Sequence, residues 1–185
     1  LVRVYAYFGA SDGYMEVDTV YGQDEDSNFG STVAIALDAA SSWVHGCIIA
    51  AGANYAGAVL TAAGYTKVYR WADSMETYQQ LGGTIWGYGE MDERFGHSVA
   101  LSSNGMTVAI GGIARSDEEE EEGVARVFIY ENTWEQRGGD FYGTAAYQKV
   151  GNRVALSSDG TIFAFSDAPD DSNLPGMAKV LEWDG

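Results

Sequence analysis

Internal repetition constrains the fold of this chain more than any other feature of its sequence. One motif begins at Phe29 (FGSTVAIAL), recurs from Phe95 (FGHSVALSSNGMTVAIGG) and recurs again from Val150 (VGNRVALSSDGTIFAFSD). The steps from 29 to 95 and from 95 to 150 are 66 and 55 residues long. A repeat of this kind is one supersecondary unit, which buries its apolar face only by stacking on its neighbours. The repeat anchors are Phe29, Gly30, Phe95, Gly96 and Gly151.

Two shorter motifs recur between these anchors. One of them, the second motif, contains a recurring Arg or Lys. The other, the third motif, follows it along the chain: it occurs as YQQLGGTIWG from Tyr78, as WEQRGGDFYG from Trp134 and, more weakly, as YMEVDTVYG from Tyr14. All the motifs are short runs of Val, Ile, Phe and Tyr bounded by Gly, Asn-Gly or Asp-Gly, which is typical of β-strands. The second motif is VRVYAY, TKVYRW, ARVFIY and AKVLEW, and its recurring cations are Arg3, Lys67, Arg126 and Lys179.

The first motif also predicts how its strands pack. The Asn-Gly pair at 104–105 and the Asp-Gly pair at 159–160 readily supply the positive φ angles that tight hairpin turns require. The strand before the first turn places Val99 and Leu101 on one face and Ala100 on the other. Both faces are apolar, so both are expected to be buried. Sheets stacked like blades meet this requirement, with small residues where neighbours approach closely, whereas a two-layer sandwich usually leaves one face polar.

Four strands in a repeated unit of this length are the sequence signature of a β-propeller made of four-stranded antiparallel blades. Thirteen strands are predicted: the last two strands of a preceding blade plus a linker at 1–28, a blade with an Ala/Gly-rich insertion at 29–94, a blade at 95–149, and the first three strands of a further blade at 150–185. This count does not close a ring, so we expect an open arc that is an incomplete segment of a larger propeller. Flanking blades or a neighbouring molecule would supply the missing strand. A solenoid of stacked sheets is the alternative architecture.

The joined motifs resemble a known repeat family. Phe-Gly-x-Ser-Val-Ala-Leu-Ser-x-Asn/Asp-Gly-x-x-Val-Ala-Ile-Gly, followed by Arg-Val-x-x-Tyr and Trp-x-Gln-x-Gly, is similar to the FG-GAP-type repeats of integrin-α-like β-propellers, in the degenerate form found in large secreted or surface proteins. The resemblance covers nearly the whole chain and is most specific from Phe95 to Gly139. It implies propeller blades and an extracellular or cell-surface location.

The resemblance also raises calcium binding, because many FG-GAP repeats carry a loop of alternating aspartates between their first two strands. This sequence departs from that pattern. The matching segments, 102–107 and 157–162, offer one Asn and one Asp, and the turn after Leu37 offers only Asp38. Calcium requires six to eight oxygen ligands. We therefore expect ordinary turns and no cofactor, with calcium as the alternative.

Two acidic connections are the remaining candidates for cation binding. They join the second and third strands of the last two units, in the run 117–122 and in DAPDDSNLPG. Blocks of like charge usually form solvated, extended loops, and consecutive glutamates cannot all face one ion. Diffuse cation binding is the alternative, and its candidate ligands are Asp117, Glu118, Asp167, Asp170 and Asp171.

Composition excludes several partners. The chain has 10 Lys and Arg against 27 Asp and Glu, and its formal charge of −17 repels nucleic acid and anionic membranes. Residues 46–64 carry no charge, but they are rich in Ala and Gly and contain few residues that favour membrane insertion. No membrane insertion is expected, and Ala51 to Gly64 should form an excursion packed against protein. Cys47 is the only cysteine, which excludes an internal disulfide.

Catalysis finds little support in the sequence. His45 and His97 are the only histidines, neither has a recurring carboxylate partner, and no Gly-x-Ser-x-Gly elbow occurs. The repeated cations are expected to pair with acids of a neighbouring blade. Four tryptophans near the outer strands are expected to seal one blade against the next, with stacking on sugars or on a partner protein as the alternative. They are Trp71, Trp86, Trp134 and Trp183.

These patterns predict a non-catalytic structural or interaction module, not an enzyme. The module would belong to a larger, extracellular protein or assembly. Its expected partners are other proteins or further blades of the same polypeptide, with glycan as a further candidate. The alternative function is a calcium-dependent adhesion or cation-binding domain that uses the acidic loops.

Overall fold

The computed structural model describes residues 1–37, 46–56, 63–88, 93–114, 122–169 and 175–184. Within these ranges the chain forms fourteen β-strands in four antiparallel sheets and no α-helix. The predicted all-β class is therefore confirmed. The sheets follow one another along the chain, and nearly every strand pairs with the strand beside it in sequence.

Each sheet is built from consecutive strands. The first sheet contains β1 (Val2–Tyr7) and β2 (Tyr14–Val20). The second sheet contains β3 (Thr32–Leu37), β4 (Cys47–Ala53), β5 (Tyr65–Ala72), β6 (Thr77–Gln80) and the short β7 (Ile85–Trp86), which also pairs with β5. The third sheet contains β8 (Ser98–Leu101), β9 (Thr107–Gly112), β10 (Val124–Tyr130) and β11 (Trp134–Tyr142). The fourth sheet contains β12 (Arg153–Leu156), β13 (Ile162–Ser166) and β14 (Ala178–Glu182).

The second sheet has one strand more than the sequence motifs predict. Its third motif is divided into β6 and β7 around Gly82, which has a φ of +70°. In the third sheet the same motif forms one strand, but its pairing with β10 shifts next to Gly138, which has a φ of +75°. Glycine adopts positive φ without steric cost. The extra strand therefore results from a glycine excursion that both sheets share.

Apolar side chains on both faces of the third sheet form the core. Val99 and Leu101 of β8 pack on the second sheet, in a cluster with Val68. Ala100, between them, points to the fourth sheet, in a cluster with Phe165. The predicted packing of this strand on both faces is confirmed, with large residues on one face and a small residue on the other.

The anchor residues occupy equivalent places between successive sheets. Phe95 and Val150 are fully buried, and Phe29 is buried. Phe95 forms a parallel bridge with Gly64, which precedes β5 of the second sheet. Val150 forms the same bridge with Gly123, which precedes β10 of the third sheet. Each of these two anchors therefore attaches its own sheet to the sheet before it, although the second has lost its phenylalanine.

The glycine after each anchor turns the chain into the next sheet. Gly30, Gly96 and Gly151 have φ values of +91°, +89° and +84°, which disfavour any residue with a Cβ. Each donates its N–H to the second strand of its own sheet. The acceptors are the carbonyl oxygens of Gly52 at 2.9 Å, Gly111 at 3.1 Å and Ser166 at 3.1 Å.

Two further glycines let these turns approach the preceding sheet. A Cβ at Gly52 would collide with the carbonyl oxygen of Gly96, and a Cβ at Gly111 would collide with that of Gly151. Neither Gly52 nor Gly111 has a positive φ, so the restriction is space and not backbone conformation. Ser98 holds the second contact in place, since its hydroxyl donates to the Gly151 carbonyl at 2.7 Å.

Asp18 of β2 joins the first sheet to the second. Its carboxylate accepts hydrogen bonds from the Tyr78 N–H at 2.6 Å, the Thr77 hydroxyl at 2.8 Å and the Thr19 N–H at 2.7 Å. Burial alone would raise the pKa of Asp18, but these hydrogen bonds outweigh it and hold the pKa below its usual range. The first sheet is thus attached to β6 by an ionised side chain.

The charge-free segment 46–64 supplies a strand to the core. Every residue of Cys47–Ala53 is buried. The predicted excursion is therefore shorter than expected, because its first three residues belong to β4. Ala56 and Ala63 are buried, as predicted for a packed segment, while 57–62 lie outside the described residues. In the part of the chain that the structure describes, no helix has the length and apolar character needed to cross a membrane.

We predict that Gly111→Ala lowers the free energy of unfolding by about 1–3 kcal/mol, since the added methyl group overpacks the contact with Gly151. Gly139→Ala is the matched control, because a Cβ there would have no neighbour within 4 Å. The control should change stability by no more than about 1 kcal/mol. Urea unfolding followed by tryptophan fluorescence measures both. Equal stabilities would contradict the close approach of the two sheets.

Candidate functional site

The acidic residues proposed as cation ligands fall mostly outside the described residues. Asp117, Glu118, Asp170 and Asp171 lie outside the described residues. Asp167 is buried and connects two other segments of the chain. Its carboxylate accepts hydrogen bonds from the Met177 N–H at 2.6 Å and from the Gln148 side-chain amide at 2.9 Å. Across the described ranges, no group of three or more His, Cys, Asp or Glu is placed to hold a metal ion.

The serine-rich turns direct their side-chain oxygens back to their own backbone. Asn104 Oδ1 accepts hydrogen bonds from the Ser102 hydroxyl at 2.8 Å and the Met106 N–H at 3.0 Å. Asp159 Oδ1 accepts from the Ser157 hydroxyl at 2.6 Å and from the N–H and hydroxyl of Thr161 at 3.0 and 2.8 Å.

These turn bonds favour the charged carboxylate. They lower the pKa of Asp159 to about 2, with the Ser157 hydroxyl as the main cause. Only Gly105 and Gly160 have positive φ in the two turns, so the predicted Asn and Asp contribute hydrogen bonds and not the left-handed backbone. The turn after Leu37, with Asp38, lies outside the described residues.

A buried ionic cluster lies between the second and third sheets. Arg126 of β10 is 2% exposed and donates two hydrogen bonds to Asp140 of β11, from Nε at 2.9 Å and from Nη2 at 3.2 Å. Its Nη1 binds the carboxylate of Glu93, which is buried in the segment before Phe95. The guanidinium carbon lies 4.3 Å from the ring centre of Tyr88 and 5.1 Å from that of Phe95.

Burial and pairing act in opposite directions on the two carboxylates. Burial raises the pKa of Glu93, although the charge of Arg126 opposes this shift. Burial would also raise the pKa of Asp140, but the hydrogen bonds from Arg126, Tyr142 and Gln136 outweigh it and lower that pKa. Asp140 therefore stays ionised and paired with Arg126. Both acids are occupied by the same guanidinium, so the arrangement is suited to fastening two sheets and not to proton transfer.

The sequence predicts that each repeated cation pairs with an acid of a neighbouring unit. Arg126 confirms this prediction through Glu93. The prediction is incomplete there, because Arg126 also pairs with Asp140 of its own sheet. It is wrong for Arg3, which lies 3.8 Å from Glu16 of its own sheet and is exposed. Lys67 is buried with its ammonium nitrogen 5.7 Å from the Tyr65 ring centre. Burial lowers the pKa of that lysine, and the charge of Asp24 opposes this effect. Lys179 is exposed on β14.

The role of Glu93 had a signal in the sequence. It stands two residues before the anchor Phe95, and the other two copies have Ser27 and Gln148 at this place. Ser27 accepts a hydrogen bond from the Tyr65 hydroxyl at 3.5 Å, and Gln148 binds Asp167. A polar residue that recurs before an apolar anchor therefore indicates a hydrogen-bonding position beside that anchor.

The recurring tryptophans have two different surroundings. Trp71 and Trp134 are partly buried in the core clusters, so the predicted sealing role is confirmed for them. Trp86 is exposed, although its ring packs against Tyr65 with centres 5.0 Å apart. Trp183 is 47% exposed at the end of β14. This last ring forms one wall of the candidate binding groove.

The groove lies between the outer strands of the third and fourth sheets and has a volume of about 200 Å³. Its floor is apolar, and Trp183 and Arg137 stand at its rim. The guanidinium of Arg137 lies 5.5 Å from the Trp183 ring centre and donates to the Gly160 carbonyl at 3.2 Å. Such a groove can accept a flat apolar side chain. The floor consists of Val127, Phe141, Phe163 and Leu181.

His97 does not line this groove. His45 lies outside the described residues. His97 is partly buried at the start of β8, and its N–H donates to the Gly111 carbonyl at 2.9 Å. Burial lowers its pKa, while a hydrogen bond with Asn152 opposes the shift. The His97 backbone is therefore part of the turn after Gly96.

We predict that Arg126→Met destabilises the protein by about 3–5 kcal/mol near neutral pH, because Glu93 then stays buried without its partner. The pKa of Glu93 is raised in the folded state, so its ionisation costs stability as the pH rises through that value. The loss should therefore shrink in acid. Arg3→Met, at the same repeat position but exposed, should change stability by less than about 0.5 kcal/mol. Equal losses in the two variants, measured by urea unfolding at several pH values, would contradict the ionic cluster.

Comparison with known proteins adds no family to these observations. No protein-family model matches the chain, and no curated protein matches it significantly in sequence. The roles assigned to the groove and to the ionic cluster therefore rest on their geometry.

Proposed function

We propose that the chain is a non-catalytic structural or interaction module, formed by blades of an FG-GAP-type propeller segment that belongs to a larger protein or assembly. The repeated motifs, the anchors between successive sheets and the contacts on both faces of the third sheet support this proposal. The ionisable residues of the buried cluster are used to join sheets. The outer surfaces are left to make contacts with other molecules.

The main observation that supports the proposal is a row of exposed apolar side chains on β3. Val33, Ile35 and Leu37 are 55%, 66% and 62% exposed. They lie on the same face of the second sheet as Cys47 and Ile49, which are buried against the first sheet. Within the described residues, the first sheet packs on β4 to β6, while these three side chains of β3 stay exposed. Adjacent exposed apolar side chains of this kind mark interaction surfaces.

The opposite end of the stack exposes a residue that is buried in every other repeat. Val4, Val68 and Val127, each directly after the recurring cation, are buried against the next sheet. Val180 at the same position of the fourth sheet is 69% exposed. A further sheet packed there would continue the stack.

The proposal includes an extracellular or cell-surface location, which is supported by the resemblance of the repeats to those of secreted and surface proteins. A formal charge of −17 favours basic partner surfaces over acidic ones. Other proteins or further blades of the same polypeptide are the proposed partners. Stacking of Trp86 or Trp183 on a glycan is a weaker candidate because the groove floor at Trp183 is apolar.

We predict that the purified chain associates with rising concentration and binds anilinonaphthalene sulfonate, and that Ile35→Lys weakens both, because a charge in the apolar row disfavours its burial. Met75→Lys is the matched control, since Met75 is 65% exposed in a turn and belongs to no such row. Sedimentation velocity and dye fluorescence measure the two effects. A chain that stays monomeric and binds no dye would overturn the proposed interaction surface.

Calcium separates this proposal from the cation-dependent alternative. A ligand at 100 times its dissociation constant stabilises the folded state by about 2.7 kcal/mol. In a domain of this size, that corresponds to a rise in melting temperature of about 5–10 °C. We expect thermal unfolding with millimolar calcium or with EDTA to give the same midpoint. A calcium-dependent rise that saturates with concentration would favour the adhesion or cation-binding function instead.

A further inference from the structure

A strained backbone residue stands directly before each of the three anchors. These residues are Asn28, Arg94 and Lys149, with φ values of +54°, +51° and +56°. Left-handed backbone of this kind strains every residue that has a Cβ, and glycine would relieve the strain. The third and fourth sheets are nevertheless entered through a cation at this place.

Hydrogen bonds on both sides of Arg94 and Lys149 fix their backbone. The carbonyl before each of them accepts an N–H from the residue that follows the second strand of the sheet. The N–H after each of them, which belongs to the anchor, donates to the segment just before β5 or β10. Strain persists where the surroundings impose it, and such positions cluster at binding sites. The first bond joins Ala114 to Glu93 at 3.4 Å and Ala168 to Gln148 at 3.2 Å, and the second joins Phe95 to Ala63 and Val150 to Glu122, both at 2.9 Å.

His97 lies between the two anchor turns that carry these cations. Its backbone N–H donates to the Gly111 carbonyl at 2.9 Å, and the Gly151 carbonyl of the next turn lies against the same Gly111. The His97 side chain is half-buried and hydrogen-bonds to the side chain of Asn152, which has the equivalent position in the next repeat. One imidazole thus connects the entrances of the third and fourth sheets.

Three cations surround this imidazole. Burial lowers the pKa of His97, and the positive charges of Arg153, Arg94 and Lys149 lower it further. They are three of only ten Lys and Arg in a chain that has 27 Asp and Glu. Arg153 is exposed, and Arg94 also lies over the ring of Tyr55, with its guanidinium carbon 5.5 Å from the ring centre. The anchor turns therefore carry a basic cluster on an acidic protein.

We propose that Arg94, Lys149 and the imidazole of His97 bind the carboxylates of an acidic segment of a partner protein. The inference rests on the proposed function, whose protein partner it specifies by charge. A guanidinium binds a carboxylate through two parallel N–H bonds, and clusters of cations recognise acidic motifs in peptides. Because the backbone of both cations is held by hydrogen bonds, little order has to be gained when the ligand binds.

The net charge of the chain does not prevent this contact. At physiological ionic strength, exposed charges more than about 8 Å apart are largely screened from each other. A carboxylate that reaches the anchor turns is therefore acted on mainly by the groups around His97, and not by the formal charge of −17 as a whole. Binding should weaken as salt is added, since the cations are only half-buried or exposed.

The spacing of the repeats specifies the ligand further. Arg94 and Lys149 occupy equivalent places in successive sheets, and sheets that pack face to face lie about 10 Å apart. In a polyproline II helix, which rises about 3.1 Å per residue with three residues per turn, side chains three residues apart lie on one side at about 9 Å. An acidic segment with the pattern Glu-x-x-Glu in this conformation therefore presents one carboxylate to each cation.

Nuclear magnetic resonance of the His97 imidazole tests this inference on the full chain. The probe is the peptide acetyl-GEPPEG-amide, and His97→Gln assigns the resonance. We expect a saturable shift of this resonance and a rise in the pKa of His97, because bound carboxylates favour the imidazolium. The peptide acetyl-GQPPQG-amide should give neither effect. No shift with the Glu peptide, or equal shifts with both peptides, would overturn the inference.

Glycine variants separate binding from folding. Arg94→Gly and Lys149→Gly should each weaken binding at least about fivefold, because each removes a charged hydrogen-bond donor. Neither should lower the midpoint of urea unfolding, since glycine adopts positive φ without strain. Glu76→Gly is the matched control, because Glu76 has a φ of +52° in a turn of the second sheet, and it should leave binding unchanged. Full binding by both cation variants would place the site elsewhere and overturn the inference.

Two further controls test the locality of the charge and the class of ligand. Arg3→Met removes one exposed positive charge from the first sheet and should leave binding unchanged. A loss equal to that of Arg94→Gly would mean that only net charge matters, which would overturn the site. A digalacturonate, which carries two carboxylates on sugar rings, should bind more weakly than the Glu peptide. Tighter binding of the digalacturonate would assign the site to an acidic glycan and overturn the protein partner.

The failure of this inference and the failure of the proposed function have different signatures. Chains that associate through Ile35 yet show no response of His97 to the peptide would leave the interaction module standing and remove the basic site. Chains that bind the peptide through Arg94 and Lys149 but stay monomeric and bind no dye would support the basic site and overturn the surface on β3.

Discussion

The close approach of each anchor turn to the sheet before it is the contact on which the stack depends. The Gly151 carbonyl reaches Gly111 so closely that no side chain fits between them, and Ser98 bonds to the same oxygen. Because Val150 is fully buried by this approach, one short turn fixes both the spacing of two sheets and the apolar contact between them. Large side chains on one face and small ones on the other then complete the interface.

A buried ionic cluster adds a second contact between the second and third sheets. Arg126 neutralises Glu93 from the connecting segment and Asp140 from its own sheet, so a strand, its neighbour and the preceding connection are joined by one guanidinium. A buried ion pair recovers its desolvation cost only with good geometry and further hydrogen bonds. The two-pronged contact of Arg126 with Asp140 provides the geometry, and Gln136 and Tyr142 donate further hydrogen bonds to the same carboxylate. The same repeat position in β1 carries an exposed arginine, so the repeat tolerates the cation without requiring the cluster.

The sequence predicted the features that repeat, and it missed those that occur once. The strands and the alternation of large and small residues around Ala100 could be predicted, because several copies of each motif show the same pattern along the chain. Asp140 could not be assigned as the partner of Arg126, because the second sheet has Thr84 at the corresponding place. The groove at Trp183 was also not predictable. A tryptophan in an outer-strand motif indicates sealing when a following strand covers it, and the motif alone does not state whether that strand is present.

Because the sequence repeats, residues at the ends of the stack are of the same type as residues that are buried inside it. Val180 is identical in type and position to Val68 and Val127, and the burial of those two depends on the sheet that follows. The free energy available from covering Val180 is of the same kind as that already realised inside the molecule, roughly 25 cal/mol per Å² of apolar surface. A partner needs no separate binding site at such an end, because a strand or sheet that makes the same contacts as the sheets inside the stack also fits the exposed face.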